Sequence, residues 1–128
     1  MPELGIPRVT PGQELSEVCS EFASLFHRRW GRGPVWARAY WAGPDILLVV
    51  LENGHTPAEK TMRAAGHIQE VLGGRRLLQG LVEDELRELV CRITGRRVRA
   101  CLSATRLAPD LSAEIFLLER EAGATHTA

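Results

Sequence analysis

The chain is almost without lysine: Lys60 is the only one among sixteen basic residues, and the rest are arginine. No physical rule asks a whole surface to be arginine, so this fits a GC-rich coding bias better than a ligand requirement. Net charge is absent too, with sixteen basic residues against sixteen acidic ones. That argues against a nucleic-acid-binding protein that works through bulk positive charge, and it leaves little repulsion to oppose self-association. Cysteine is scarce. Cys19, Cys91 and Cys101 are odd in number, form no C-x-x-C and sit among apolar neighbours, which argues against a disulfide framework and for a reducing compartment such as the cytoplasm. Long apolar runs are missing, since the longest is Ile46 to Leu51, far short of a membrane span. The N-terminus has no basic segment followed by an apolar one, so no signal peptide is expected.

Catalytic and cofactor motifs are equally absent. The sequence has no glycine-rich phosphate loop, no dinucleotide fingerprint, no H-E-x-x-H and no G-x-S-x-G. His27, His55, His67 and His126 have no second histidine or cysteine at ligand spacing, so no metal site and no cofactor are expected. Ser16, Ser20 and Ser24 recur at helical spacing with no base beside them, which reads as a solvated stripe. The sequence is therefore read as that of a protein that is not an enzyme.

What is present is the pattern of one α+β domain. The length of 128 residues and an apolar fraction of 45% suit a single core. Residues 1–9 and 120–128 read as flexible tails around a domain at 10–119. Thr10-Pro11-Gly12-Gln13 is a helix-starting device, and Leu15, Val18, Phe22, Leu25, Phe26 and Trp30 then recur every three or four residues. Gly31 and Gly33 end that helix. Val35 to Trp41 alternates as a strand, Gly43-Pro44-Asp45 turns, and Ile46 to Leu51 follows as a wholly apolar strand. The second half repeats the scheme: Thr56-Pro57-Ala58-Glu59 opens a helix, with a break expected at Gly73-Gly74. Gly95 closes it, and two strands flank Ala108-Pro109-Asp110. The order α-β-β-α-β-β predicts a two-layer fold with a four-stranded, largely antiparallel sheet.

The strand Ile46 to Leu51 has no polar face. Either a helix lies on each side of the sheet, or a partner covers the second side. A homodimer is the preferred reading, with Trp36, Tyr40, Leu47 and Val49 as its contact residues. Two arginine clusters, Arg28/Arg29/Arg32 and Arg92/Arg96/Arg97/Arg99, end the helices, where the helix dipole alone explains them. An RNA surface is disfavoured, because aromatics interleave with arginine only around Arg38. The segment from Asn53 to Lys60 enters a helix N-terminus. His55, Thr56, Glu59 and Lys60, with Arg38, are the candidate binding residues for an anion; the competing reading is a plain helix cap in which Glu59 folds back on Thr56.

Gly31-Arg32-Gly33-Pro34, the apolar strand, Thr56-Pro57-Ala58-Glu59-Lys60-Thr61, Ile93-Thr94-Gly95 and the closing apolar strand together resemble the MpsC-like family over roughly residues 12 to 119. The resemblance implies a component of a bacterial Na+-translocating, membrane-potential-generating system. This chain has no span of its own, so it would act there as a soluble accessory or regulator with a membrane protein as partner. The alternative is a small-ligand sensor that uses the 54–60 loop to hold an anion.

Overall fold

The computed structural model describes residues 11–31, 34 and 36–120. Helix α1 (Pro11–Trp30) buries Val18, Phe22, Leu25 and Phe26, the stripe its spacing predicts. Gly31 ends it with φ 85°, a left-handed conformation that a β-carbon disfavours. The expected cap Thr10, the neighbours Arg32, Gly33 and Val35, and nearly all of both expected tails lie outside the described residues. Strands β1 (Trp36–Trp41) and β2 (Ile46–Glu52) form a hairpin, then come helices α2 (Pro57–Ala64) and α3 (Ile68–Thr94) and the hairpin β3 (Val98–Leu107) and β4 (Asp110–Leu118).

The α-β-β-α-β-β order holds, with the second helical element in two pieces. The break is not at Gly73-Gly74, as expected, but at Gly66, whose φ of 89° turns the chain between α2 and α3. α3 runs unbroken through both glycines. Val71, Arg75, Gln79, Val82 and Leu86 are buried around them and hold the backbone helical, which outweighs roughly 1 kcal/mol of propensity lost per glycine.

The sheet is antiparallel throughout in the order β1-β2-β4-β3. The two hairpins are thus related by an approximate two-fold through the middle of the sheet, with β2 and β4 central and β1 and β3 at the edges. Both long helices lie on one face. Val18, Phe22 and Phe26 of α1 and Val82, Leu86 and Val90 of α3 share one core with Leu47, Val49, Leu51, Phe116 and Leu118. Phe22 meets Phe116 edge-on, with ring centroids 5.8 Å apart.

β2 therefore alternates after all, and this corrects the expected interface. Leu47 and Val49 are 0% exposed and point into the helix-covered core. Their neighbours Leu48 and Val50 point the other way. On that outer face the register sets four cross-strand rows: Ile46, Leu117 and Ala100; Tyr40, Leu48, Ile115 and Leu102; Arg38, Val50, Ala113 and Ala104; Trp36, Glu52, Leu111 and Arg106. The arrangement with one helix on each side of the sheet is not the one that forms.

Candidate functional site

The T-P-x-E-K segment builds a capping box and then a second structure upon it. The Thr56 hydroxyl accepts from the Glu59 backbone N–H at 3.1 Å, and the Thr56 N–H donates to Glu59 Oε1 at 3.0 Å. Glu59 Oε2 faces away from the cap and accepts from Arg75 Nε at 3.1 Å, while Arg75 Nη2 reaches Oε1 at 3.1 Å. Arg75 comes from the first part of α3 and is 1% exposed. Its other edge grips Asp110 at the start of β4, Nη1 on Oδ1 and Nη2 on Oδ2. Trp30, the last residue of α1, places its ring 5.4 Å from the guanidinium carbon. One buried arginine thus joins both carboxylates by paired hydrogen bonds and ties α2, α3 and β4 together. Burial pushes the Glu59 carboxyl up, but hydrogen bonds from Arg75 and the Thr56 backbone, with the positive charge of Arg75, outweigh it and hold its pKa below the usual range.

His55 hangs on the same knot. Its Nδ1 is 3.0 Å from Asp110 Oδ2, and its Nε2 is 3.0 Å from an Arg63 guanidinium nitrogen. Gly54, His55, Lys60 and Arg63 line an open depression of about 440 Å³. So the structure brings His55 and Lys60 together with Arg63, which sequence reasoning had not singled out. It does not bring Arg38, which stands on the outer sheet face with its guanidinium 4.4 Å from the Trp36 ring. Thr56 and Glu59 face each other as a cap, so the N–H groups of both are already used within the chain.

A second polar knot lies deeper. Glu114 of β4 is 0% exposed beneath α3. It accepts from Ser103 Oγ across the β3–β4 ladder and from Gln79 Nε2 of α3 at 2.9 Å. Burial, relieved only in part by these bonds, pushes its carboxyl up to about 7. Burial, with the charges of Glu114 and Glu83 nearby, raises the Cys101 thiol to about 11.

Arg75, Asp110, Gln79 and Glu114 were not found from sequence. Asp110 read as a turn residue and Arg75 as one arginine among many. Glu114 carried a usable signal, because it alternates with Phe116 and Leu118 on the inward side of a strand. Arg29, Arg92 and Arg96 of the two arginine clusters serve within the chain. Arg29 forms a bidentate pair with Glu85, and Arg96 holds Pro44 O, Asp45 and Glu119 O, so it fastens the first turn to the end of β4. Arg92 pairs with Glu21 rather than one turn back along its own helix.

Among the described residues, no three His, Cys, Asp or Glu side chains are grouped to hold a metal ion, and no helix is long and apolar enough to cross a membrane. A search of curated proteins and a search of solved structures found no match. A family model does match, described as "Na+-translocating membrane potential-generating system (MpsC)", over residues 10–120. That span holds the capping motif, the arginine knot and both hairpins, and the chain belongs to the MpsC family.

Proposed function

We propose that this protein acts by binding rather than by catalysis, as an accessory or regulatory component of the Na+-translocating system for which its family is named, and that it works in the bacterial cytoplasm as a homodimer. The observation that carries this is the outer face of the sheet. Tyr40 and Leu102 are 43% and 57% exposed there, and between them Leu48, Val50, Ile115 and Ala113 form a continuous apolar floor with no helix of the described residues upon it. The carboxylate clusters around Arg75 and around Glu114 are turned inward and hydrogen-bonded within themselves, as suits a scaffold. Light scattering at micromolar concentration tests the reading: twice the chain mass supports it, and a single-chain mass contradicts it.

The family association also calls for a membrane-protein partner. With the sheet face occupied, the outer side of α3 still presents apolar surface, where Leu77 and Leu81 are 65% and 69% exposed. Glu70, Asp84 and Glu88 flank them on the same helical face, so the surface suits a basic, apolar segment of the kind found at the cytoplasmic ends of membrane spans.

The sensor reading keeps one observation in its favour, the convergence of His55, Lys60 and Arg63 on a single depression. Thermal shifts with phosphate, sulfate and bicarbonate at constant ionic strength test it. Shifts that are equal for wild type and Lys60→Ala would end it.

A further inference from the structure

The outer face has enough area and the right chemistry to say how two copies fit. Four strands about 4.8 Å apart and four rows about 6.8 Å apart cover about 500 Å² of flat area. Side chains standing on that area expose more, which approaches the roughly 800 Å² per partner that a stable interface buries. The second copy is the occupant whose chemistry matches, because charges break the apolar grid mainly in one row. That row reads Trp36, Glu52, Leu111, Arg106 from edge to edge. Its two charges are opposite in sign, and Leu111 keeps them on separate strands.

Two sheets that pack face to face keep their strands roughly aligned, and a two-fold axis between them has two simple directions. An axis across the strands stacks each strand on its own copy and reverses the rows. Glu52 would then lie over the partner's Ile46 and Arg106 over the partner's Ala100, leaving a carboxylate and a guanidinium against apolar side chains, which is costly. An axis along the strands keeps the rows and exchanges the edges. Leu48 then lies over the partner's Ile115, Tyr40 over the partner's Leu102, and the long Arg38 over the small Ala104 of the partner. In the charged row, Glu52 lies over the partner's Leu111 and Arg106 of each chain arrives above the partner's Trp36, beside the partner's Glu52, so that here, unlike with the other axis, each charge has an opposite one next to it.

We infer that two copies stack outer face on outer face about a two-fold axis parallel to the strands, with each β1 over the partner's β3 and each Glu52 paired with the partner's Arg106. This rests on the homodimer reading above and adds its geometry. Dimer dissociation constants of charge-reversal variants, measured by sedimentation, test it. All the residues changed are on the outer face, so monomer folding is followed separately by circular dichroism. Glu52→Arg and Arg106→Glu should each weaken the dimer by roughly tenfold or more, since each puts like charges together. The double variant should return to within about threefold of wild type. Glu52→Arg with Arg38→Glu, which also leaves net charge unchanged, should stay weak. A dimeric wild type whose Glu52→Arg/Arg106→Glu double is no tighter than its weaker single would overturn this geometry and leave the homodimer standing. A monomeric wild type would overturn both.

Discussion

Val49 and Glu114 are cross-strand partners at the centre of the sheet, and each stands four residues beyond the aspartate of its own hairpin turn. The same place in the two halves thus holds a valine in one and a buried carboxylate in the other. Around them the asymmetry continues: Leu47 and Leu51 line the inner face of β2, and Ser112 accompanies Glu114 on β4. α3 is longer than α1, 27 residues against 20, and Arg75 follows directly on its added N-terminal part, with Gln79 one turn on. The first half supplies apolar core, and the second supplies the polar knots.

Arg75 is predicted to be the residue whose loss the fold tolerates least. Arg75→Ala leaves Glu59 and Asp110 facing each other without their cation, at a cost of about 3–5 kcal/mol. Arg75→Met fills the space but strands the same carboxylates, so it should be destabilising as well. Urea unfolding measures both. A loss under 1 kcal/mol for either would mean that the knot is incidental to stability.

Thr56→Ala removes the hydroxyl that caps α2 and should cost about 1 kcal/mol. Because Glu59 is held by both Thr56 and Arg75, the double variant with Arg75 should lose less than the sum of the singles. Strict additivity in a double-mutant cycle would show that cap and knot are independent.

How much of this was legible beforehand follows from which interactions are local. The capping box, the α1 stripe and both hairpin turns are set by residues a few positions apart, and each stood where spacing placed it. The Arg75–Glu59–Asp110 knot joins residues 16 and 35 positions apart, and periodicity carries no information about such partners. Gly73-Gly74 misled because propensity is weak against tertiary burial on both sides of the pair. Leu47 and Val49 misled because an all-apolar strand does not declare which of its two faces is covered; only the placement of both long helices on one side decides that.

Glu114 makes stability depend on pH in a definite direction. Its carboxyl is raised by burial to about 7 from the ordinary 4.5, so the folded state binds the proton more tightly than the unfolded one. That contribution is fully present below about pH 4.5 and lost as pH rises through about 7, on the order of 3 kcal/mol in all. Glu59, shifted the other way, acts only at lower pH, where its contribution is lost on acidification. Stability should therefore fall between pH 5 and pH 8, and Glu114→Gln should flatten the fall. An unchanged slope in that variant would place the titrating group elsewhere.

The outer side of α3 should be free of any role in the fold. Leu77→Gln with Leu81→Gln is expected to leave the melting temperature within a few degrees of wild type. Gly73→Ala, where an added β-carbon meets nothing within 4 Å, should raise stability by about 0.5–1 kcal/mol. Thermal melts check both. A large loss in the leucine variant would show that this surface is occupied within the protein itself.

If the outer sheet face joins two copies of this chain, sedimentation velocity over a dilution series will show it. Wild type should sediment as a dimer at micromolar concentration and dissociate on dilution, while Leu48→Asp, in the middle of the face, should sediment as a folded monomer throughout. A wild type that is monomeric at every concentration, or a Leu48→Asp variant that dimerises as tightly as wild type, would contradict the account.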